Sequence, residues 1–153
     1  KSSEPVESLG PILGKVIKKL RPELDTYYVT DTALQDLKDS TIRNFRRIFY
    51  RKEEDEIVGI ALYYEKYSTW KGRSLFLEDI IVTENKRGLG IGHLLFQEVI
   101  GVAKARNSAR MEWQVLDWNE PAINFYKKYN AELDDEWLNG KFTREQLQAY
   151  QKR

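Results

Sequence analysis

Residues 75–96 read Leu-Phe-Leu-Glu-Asp-Ile-Ile-Val-Thr-Glu-Asn-Lys-Arg-Gly-Leu-Gly-Ile-Gly-His-Leu-Leu-Phe, and this stretch limits what the chain can fold into more than any other. Residues 75–82 are apolar and partly β-branched except for Glu78 and Asp79, the pattern of a buried central strand made to carry charge. A short polar turn follows, then Arg87-Gly88-Leu89-Gly90-Ile91-Gly92, then Leu94, Leu95, Val99, Val102 and Ala103 at helical spacing. The order is strand, glycine-rich basic turn, helix. Alternating glycines let a backbone bend tightly and bring its N–H groups close to a ligand. The helix that starts there adds the positive end of its dipole, and Lys86 and Arg87 add full charges, so the turn suits a phosphate or pyrophosphate. The spacing matches neither the dinucleotide fingerprint, which needs a third glycine three places after the second, nor a P-loop, which needs Lys followed by Ser or Thr.

Arg87-x-x-Gly90-x-Gly92 after an apolar strand resembles the acetyl-coenzyme A signature of the GNAT superfamily of N-acetyltransferases. Tyr67-Ser68-Thr69-Trp70-Lys71-Gly72-Arg73, then Leu77-Glu78-Asp79, then Leu116-Asp117-Trp118-Asn119-Glu120-Pro121-Ala122-Ile123-Asn124-Phe125-Tyr126-Lys127 narrow the resemblance to the spermidine/spermine acetyltransferase branch and its thialysine-acetylating relatives. The motifs occur in the family's order, and the similarity runs over about residues 56–147. The resemblance implies an α/β fold, a mixed twisted sheet flanked by helices, and acetyl-CoA as cosubstrate. Its cofactor contacts carry over to Ile80, Ile81, Val82, Lys86, Arg87, Gly88, Leu89, Gly90, Ile91, Gly92, Asn119, Ala122, Phe125 and Tyr126. A homodimer is also implied, with substrate pockets near the subunit contact.

Composition closes off several other chemistries. At 153 residues the chain is expected to form one domain with a sizeable core. With 25 basic and 24 acidic residues it has no global field to recruit nucleic acid or an anionic membrane, and neither is expected as a partner. The absence of cysteine removes disulfides, thiol catalysis and Cys-ligated zinc, and a single histidine argues against His-rich metal sites, so no metal is expected. Residues 1–10 do not read as a signal peptide and no apolar run approaches the roughly 20 residues of a membrane span; a cytoplasmic protein is the expectation.

Taken in order, residues 1–10 are polar with Ser, Pro and Gly and read as a leading loop. From Pro11, the residues Ile12, Leu13, Val16, Ile17 and Leu20 predict a helix that Pro22 stops; Leu34, Leu37 and Ile42 predict a second over residues 32–43. The strand that usually precedes the family's first helix is not legible. Residues 45–52 and 56–67 read as an antiparallel pair around the turn Glu53-Glu54-Asp55. Arg43, Arg46, Arg47, Arg51 and Lys52 raise a nucleic-acid reading, but four acids follow directly, so a solvated strand face is favoured. After the glycine turn the helix is predicted to reach Arg106, residues 110–116 alternate as a strand, and Pro121 opens a helix ending near Tyr129. Asn130 stands where the family usually has glycine, and asparagine tolerates the left-handed conformation a helix end requires. Residues 133–142 read as a final interrupted strand, and Thr143-x-x-Gln146 as the capping box of a last helix.

Transfer of an acetyl group from a thioester to an amine needs the neutral amine, and an alkyl ammonium of pKa about 10.4 sits roughly 3 units above neutral pH, about 4 to 5 kcal/mol of deprotonation. A carboxylate can attract the cation and accept its proton, directly or through water. By resemblance to the family's Leu-Glu-Asp, Glu78 is the candidate base and Asp79 a candidate for amine binding. In a regular strand the two side chains face opposite sides, so both serve one site only if a bulge re-aims one of them, and the family has such a bulge. The bland alternative is a pair of ion-bridged carboxylates at a strand end. Tyr126, seven residues after Asn119, matches the family's general acid; a phenol of pKa about 10 stays protonated at neutral pH and can donate to the departing sulfur. His93 reads as a surface residue rather than a catalyst.

Trp70 and Tyr67 are candidates for binding the substrate, Trp70 by covering an alkyl chain or stacking on its cation, against the plain alternative of a hairpin aromatic filling a core edge. Spermidine-type members carry an acid two places before this tryptophan, whereas this chain has Ser68, which favours a single-headed, lysine-like amine over a polyamine. Two rivals stand beside the enzyme: a coenzyme A-binding sensor or interaction domain without turnover, and a nucleic-acid-binding domain built on residues 43–52, whose affinity would fall steeply with salt.

Overall fold

A computed structural model describes residues 2–5, 47–53 and 56–152. They divide in sequence, between Gln114 and Val115, into two compact units.

The first unit is organised by a long hairpin. Its strands are β3 (Glu56–Ser68) and β4 (Gly72–Val82), rich in Val, Ile, Leu, Tyr and Phe, which suit a pleated and mostly buried surface. Ser68 pairs with Gly72 across the turn, and Gly72 takes φ +92°, a conformation that costs glycine little. The Ser68 hydroxyl oxygen accepts the Trp70 and Lys71 N–H groups at 3.3 and 3.2 Å, tying the turn together. β2 (Arg47–Glu53) lies antiparallel to β3, and β1 (Ser2–Pro5) antiparallel to β2. β5 (Met111–Glu112) joins the other edge, parallel to β4, so the described sheet runs β1-β2-β3-β4-β5. The helix α1 (Ile91–Ala105) makes the crossover from β4 to β5.

Residues Ile91, Leu95, Phe96, Val99 and Ala103 form one buried stripe of α1, at the spacing of its turns. The stripe lies against the sheet near Gly59, where an added Cβ would come within 3.0 Å of Leu95 Cδ1 and 3.2 Å of Ile91 Cγ2. Val58, Ile60, Ala61, Tyr63, Leu75 and Leu77 complete the core. Each fully buried Leu or Val there contributes about 1.5–3 kcal/mol relative to exposure. Beyond α1, Phe96 meets Trp113 edge to face with ring centroids 5.4 Å apart.

The second unit holds α2 (Glu120–Lys127) and α3 (Arg144–Ala149). Pro121 stands in the first turn of α2, and Asn130 takes φ 56° just past its end, as its side chain allows. At α3 the predicted capping box is complete: Gln146 N–H donates to Thr143 Oγ1 at 3.2 Å, and Thr143 N–H to Gln146 Oε1 at 2.8 Å.

Three expectations are corrected. Residues 2–5 form a strand where a leading loop was expected, at the edge of the sheet among the described residues; their polar, Pro-ended sequence hides the strand from a hydrophobic pattern. The strand expected over residues 110–116 pairs only at Met111 and Glu112. Residues 133–142 contain no strand: the acids Glu132, Asp134, Asp135 and Glu136 interrupt any alternation, and Glu136 N–H donates instead to Asp134 Oδ1 at 2.8 Å in a local turn. The helices expected over residues 11–20 and 32–43 lie outside the described residues, as do Glu54 and Asp55 of the expected turn.

Candidate active site

The pairing of β4 with β3 contains the expected bulge. Tyr63 pairs with Leu77 and Leu62 with Asp79, so Glu78 is the extra residue, opposite no partner on β3. An extra residue shifts the strand's alternation by one place. Leu77 is buried, Glu78 is exposed and Asp79 half-buried. Tyr64 and Phe76 pair across the hairpin with ring centroids 5.3 Å apart. Glu78, two residues after Phe76, lies on the Tyr64–Phe76 face, within reach of the Tyr64 phenol, which donates to its carboxylate. Burial, followed by the nearby Glu78 charge and that hydrogen bond, pushes the Tyr64 phenol above its ordinary pKa of 10.0. Tyr64 was not legible as a site residue. Counting back from the Ser68–Gly72 turn places it opposite Phe76, two residues before Glu78 and on the same face, and the bulge brings Asp79, opposite Leu62, to that face as well.

The bulge also coincides with the end of the parallel ladder. Ala109 N–H donates to Arg73 O at 2.9 Å and Leu75 N–H to Arg110 O at 3.0 Å, and pairing stops at Phe76 with Glu112. On that side, Leu77–Val82 has no strand partner among the described residues. The half-buried Ile80, Ile81 and Val82 therefore present main-chain groups along an open edge, to which an extended ligand arm can hydrogen-bond.

At the end of β4, Thr83 is buried and anchored twice to Val58 O, by its N–H at 2.8 Å and its hydroxyl at 2.9 Å. A single 3-10 turn, Glu84–Lys86, leads to Arg87, whose Nε donates to Val82 O at 3.0 Å. Gly88 and Gly90 take φ +77° and +81°, and an added Cβ at either would meet nothing within 4 Å, so the surface there is open. Gly90 is the N-cap of α1 and supplies no side-chain acceptor, and the first turn carries no acid. The leading N–H groups of α1 thus lie at an open, glycine-lined helix start with Lys86 and Arg87 beside it, which fits a pyrophosphate. Leu89 is exposed, Ile91 is buried in the core, Gly92 is half-buried, and His93 is half-buried.

Trp70 is 89% and Tyr67 77% exposed at the hairpin tip, so Trp70 does not fill a core edge. Arg110 Nη2 donates to Ser68 Oγ at 3.3 Å and also lies 3.0 Å from Glu112 Oε1. Among the described residues, no three His, Cys, Asp or Glu side chains gather as a metal site needs.

In the second unit Asn119 is the N-cap of α2, its Oδ1 accepting the Ala122 N–H at 3.3 Å. The family resemblance implies a contact of this side chain with the cofactor arm; in the structure its oxygen caps α2. Tyr126 is 6% exposed and meets Phe125 edge to face at 5.3 Å; Phe125 also lies 5.8 Å from Tyr129. Glu78, Asp79, Ile80, Ile81, Val82 and the glycine turn thus share one unit, and Asn119, Ala122, Phe125 and Tyr126 the other.

The sequence model of the family described as Acetyltransferase (GNAT) family matches residues 15–131. The chain belongs to this family. Within the GNAT relatives, thialysine N-epsilon-acetyltransferase of Bos taurus is 45% identical over 76 residues, 50% of this chain and 45% of that protein. The Mus musculus protein of the same name is 40% identical over 94 residues, 60% of this chain and 55% of that protein. Spermidine/spermine N(1)-acetyltransferase-like protein 1 of Homo sapiens is 38% identical over 93 residues, 59% of this chain and 13% of that protein. The chain thus spans about half the length of the thialysine acetyltransferases it matches. Among solved structures, aminoglycoside N-acetyltransferase AAC(6')-Iy in complex with CoA superposes with a TM-score of 0.69 at 15% identity, covering 93% of this chain and 92% of that one. That likeness is one of fold.

Proposed function

We propose that the chain is a single acetyltransferase domain that moves an acetyl group from acetyl-CoA to a primary amine of a small molecule, with a lysine-like amine such as thialysine preferred over a polyamine. The observation that carries this reading is the bulge at Glu78 beside an uncapped, glycine-lined helix start: a carboxylate pair and an anion cradle on one strand–turn–helix segment. Membership of the GNAT family and similarity to the thialysine acetyltransferases support the reaction and the substrate class.

Acetyl-CoA supplies the acetyl thioester. Lys86, Arg87 and the N–H groups at the start of α1 hold its pyrophosphate, and the open edge of β4 pairs with its extended arm. Glu78 receives the amine's proton, directly or through water, and Asp79 holds the ammonium before it is deprotonated. The free amine attacks the thioester carbon directly, since the chain has no cysteine to carry the acetyl group. Tyr126 gives its phenolic proton to the departing thiolate. Trp70 and Tyr67 cover the substrate's alkyl chain from the hairpin tip. Ser68 leaves the tip without the carboxylate that a second substrate cation would seek, and its oxygen already serves the turn and Arg110. The active form is a homodimer in the cytoplasm.

The test is thiol release from acetyl-CoA with a panel of amines, for the parent chain and for Glu78→Gln and Tyr126→Phe. Losses of about 10²-fold or more in kcat are expected for each variant, the usual scale for a positioned acid or base. Full turnover in both would sink the mechanism. Tight coenzyme A binding with no acetylation of any amine would replace the enzyme by a sensor domain.

A further inference from the structure

We propose that Tyr64 is a positioning residue for the Glu78 carboxylate, its phenol fixing the direction in which that carboxylate faces the amine. The inference rests on the acetyltransferase reading above and adds a residue to it. As the bulged residue, Glu78 has no partner on β3 to fix its backbone in register, and its side chain is exposed. An exposed glutamate ordinarily samples several rotamers, and holding it in one costs entropy. Tyr64 stands opposite Phe76 and so is the diagonal cross-strand neighbour of Glu78 on one face; its O–H takes up one of the roughly four acceptor positions of the carboxylate and leaves the others for the ammonium or a water.

The phenol is itself braced. Its ring lies against Phe76 at 5.3 Å and 41°, and Lys66 Nζ sits over the Phe76 ring, 5.1 Å from its centroid. Lys66 Nζ is 3.0 Å from Glu112 Oε2, an ion pair outside hydrogen-bond alignment, and Arg110 Nη2 is 3.0 Å from Glu112 Oε1. The brace therefore reaches from β3 through β4 to β5, across the place where the parallel ladder ends. Tyr64 acts through Glu78 and touches no reacting atom. Its raised phenol pKa keeps it a donor throughout the working pH range.

The experiment compares Tyr64→Phe, Glu78→Gln and the double variant with the parent chain, using acetyl-CoA and thialysine. Tyr64→Phe keeps the ring and its contact with Phe76, and is expected to lower kcat about tenfold, the scale of a hydrogen bond to a charged group, with KM for acetyl-CoA within about twofold. On the Glu78→Gln background the same change is expected to alter kcat by less than about twofold. Equal losses on both backgrounds, or no loss in the single variant, would overturn the proposal. A second readout needs no turnover: the ultraviolet titration of the parent minus Tyr64→Phe isolates this phenol, and its midpoint is expected above 10.0 and lower once Glu78 is Gln. A midpoint indifferent to Glu78→Gln also overturns it. Failure of the parent chain to acetylate any amine would defeat the acetyltransferase reading, and Tyr64's part in turnover with it, while the titration would still decide the contact.

Discussion

Gly59→Ala tests how closely α1 must approach the sheet for the glycine turn to stand at the end of β4. The added methyl would lie 3.0 Å from Leu95 Cδ1, 3.2 Å from Ile81 O and 3.2 Å from Ile91 Cγ2. Leu95 and Ile91 are themselves buried, and Ile81 O belongs to the backbone of the strand paired with β3, so the crowded atoms have little room to yield. Overpacking of this kind costs about 1–3 kcal/mol. Alanine recovers about 0.4–1 kcal/mol by restricting the unfolded chain. The net expectation is a destabilisation of about 1–2 kcal/mol, or about 2–8 °C in Tm for a chain of this size. Ile91 is also the first residue of α1, so its displacement moves the helix start that is proposed to hold the pyrophosphate. Urea unfolding, together with calorimetric titration of coenzyme A, reads both effects. A variant as stable as the parent, with unchanged coenzyme A affinity, would refute the close-packing argument.

Leu95→Ala removes a side chain only 1% exposed and is expected to cost about 2–5 kcal/mol in urea unfolding. Gly90→Ala forces a side chain into φ +81° with no clash to blame, so about 1–2 kcal/mol of backbone strain is expected, and a weaker KM for acetyl-CoA should accompany it in the thiol-release assay. The alkaline limb of stability follows from Tyr64. Its folded pKa is raised, so above the unfolded value of 10.0 the unfolded chain loses a proton that the folded chain keeps, and stability falls as pH rises through that window. Below it the contribution is fully present, so the difference in urea midpoint between the parent and Tyr64→Phe should shrink only above about pH 10.

The strand–turn–helix segment was legible because three independent signals agree there: a nearly continuous apolar run, glycines that a tight turn needs, and a helical stripe ending in Ala103. The capping box at Thr143 and the left-handed Asn130 were legible because they depend on neighbours in sequence. What was missed depends on partners far away in the chain. Residues 110–116 alternate well enough for a strand, but a strand lasts only as long as its neighbour runs beside it, and the ladder with β4 ends at Phe76. Residues 2–5 show the reverse, a polar stretch made into a strand by β2. The bulge at Glu78 was anticipated from the family resemblance, whereas the placing of Tyr64 opposite Phe76, on the face of the bulged carboxylate, required the register of the hairpin. Trp70 has an unambiguous place in sequence, yet its exposure at the tip could be seen only in three dimensions.

The most direct test of the central claim is the rate of thiol release from acetyl-CoA with thialysine, compared with spermidine, spermine, putrescine, lysine and a lysine-containing peptide at equal concentration. Turnover with thialysine above the polyamines, lost in Glu78→Gln, is the expected result. No turnover with any of these amines, in a chain that still binds coenzyme A, would contradict it.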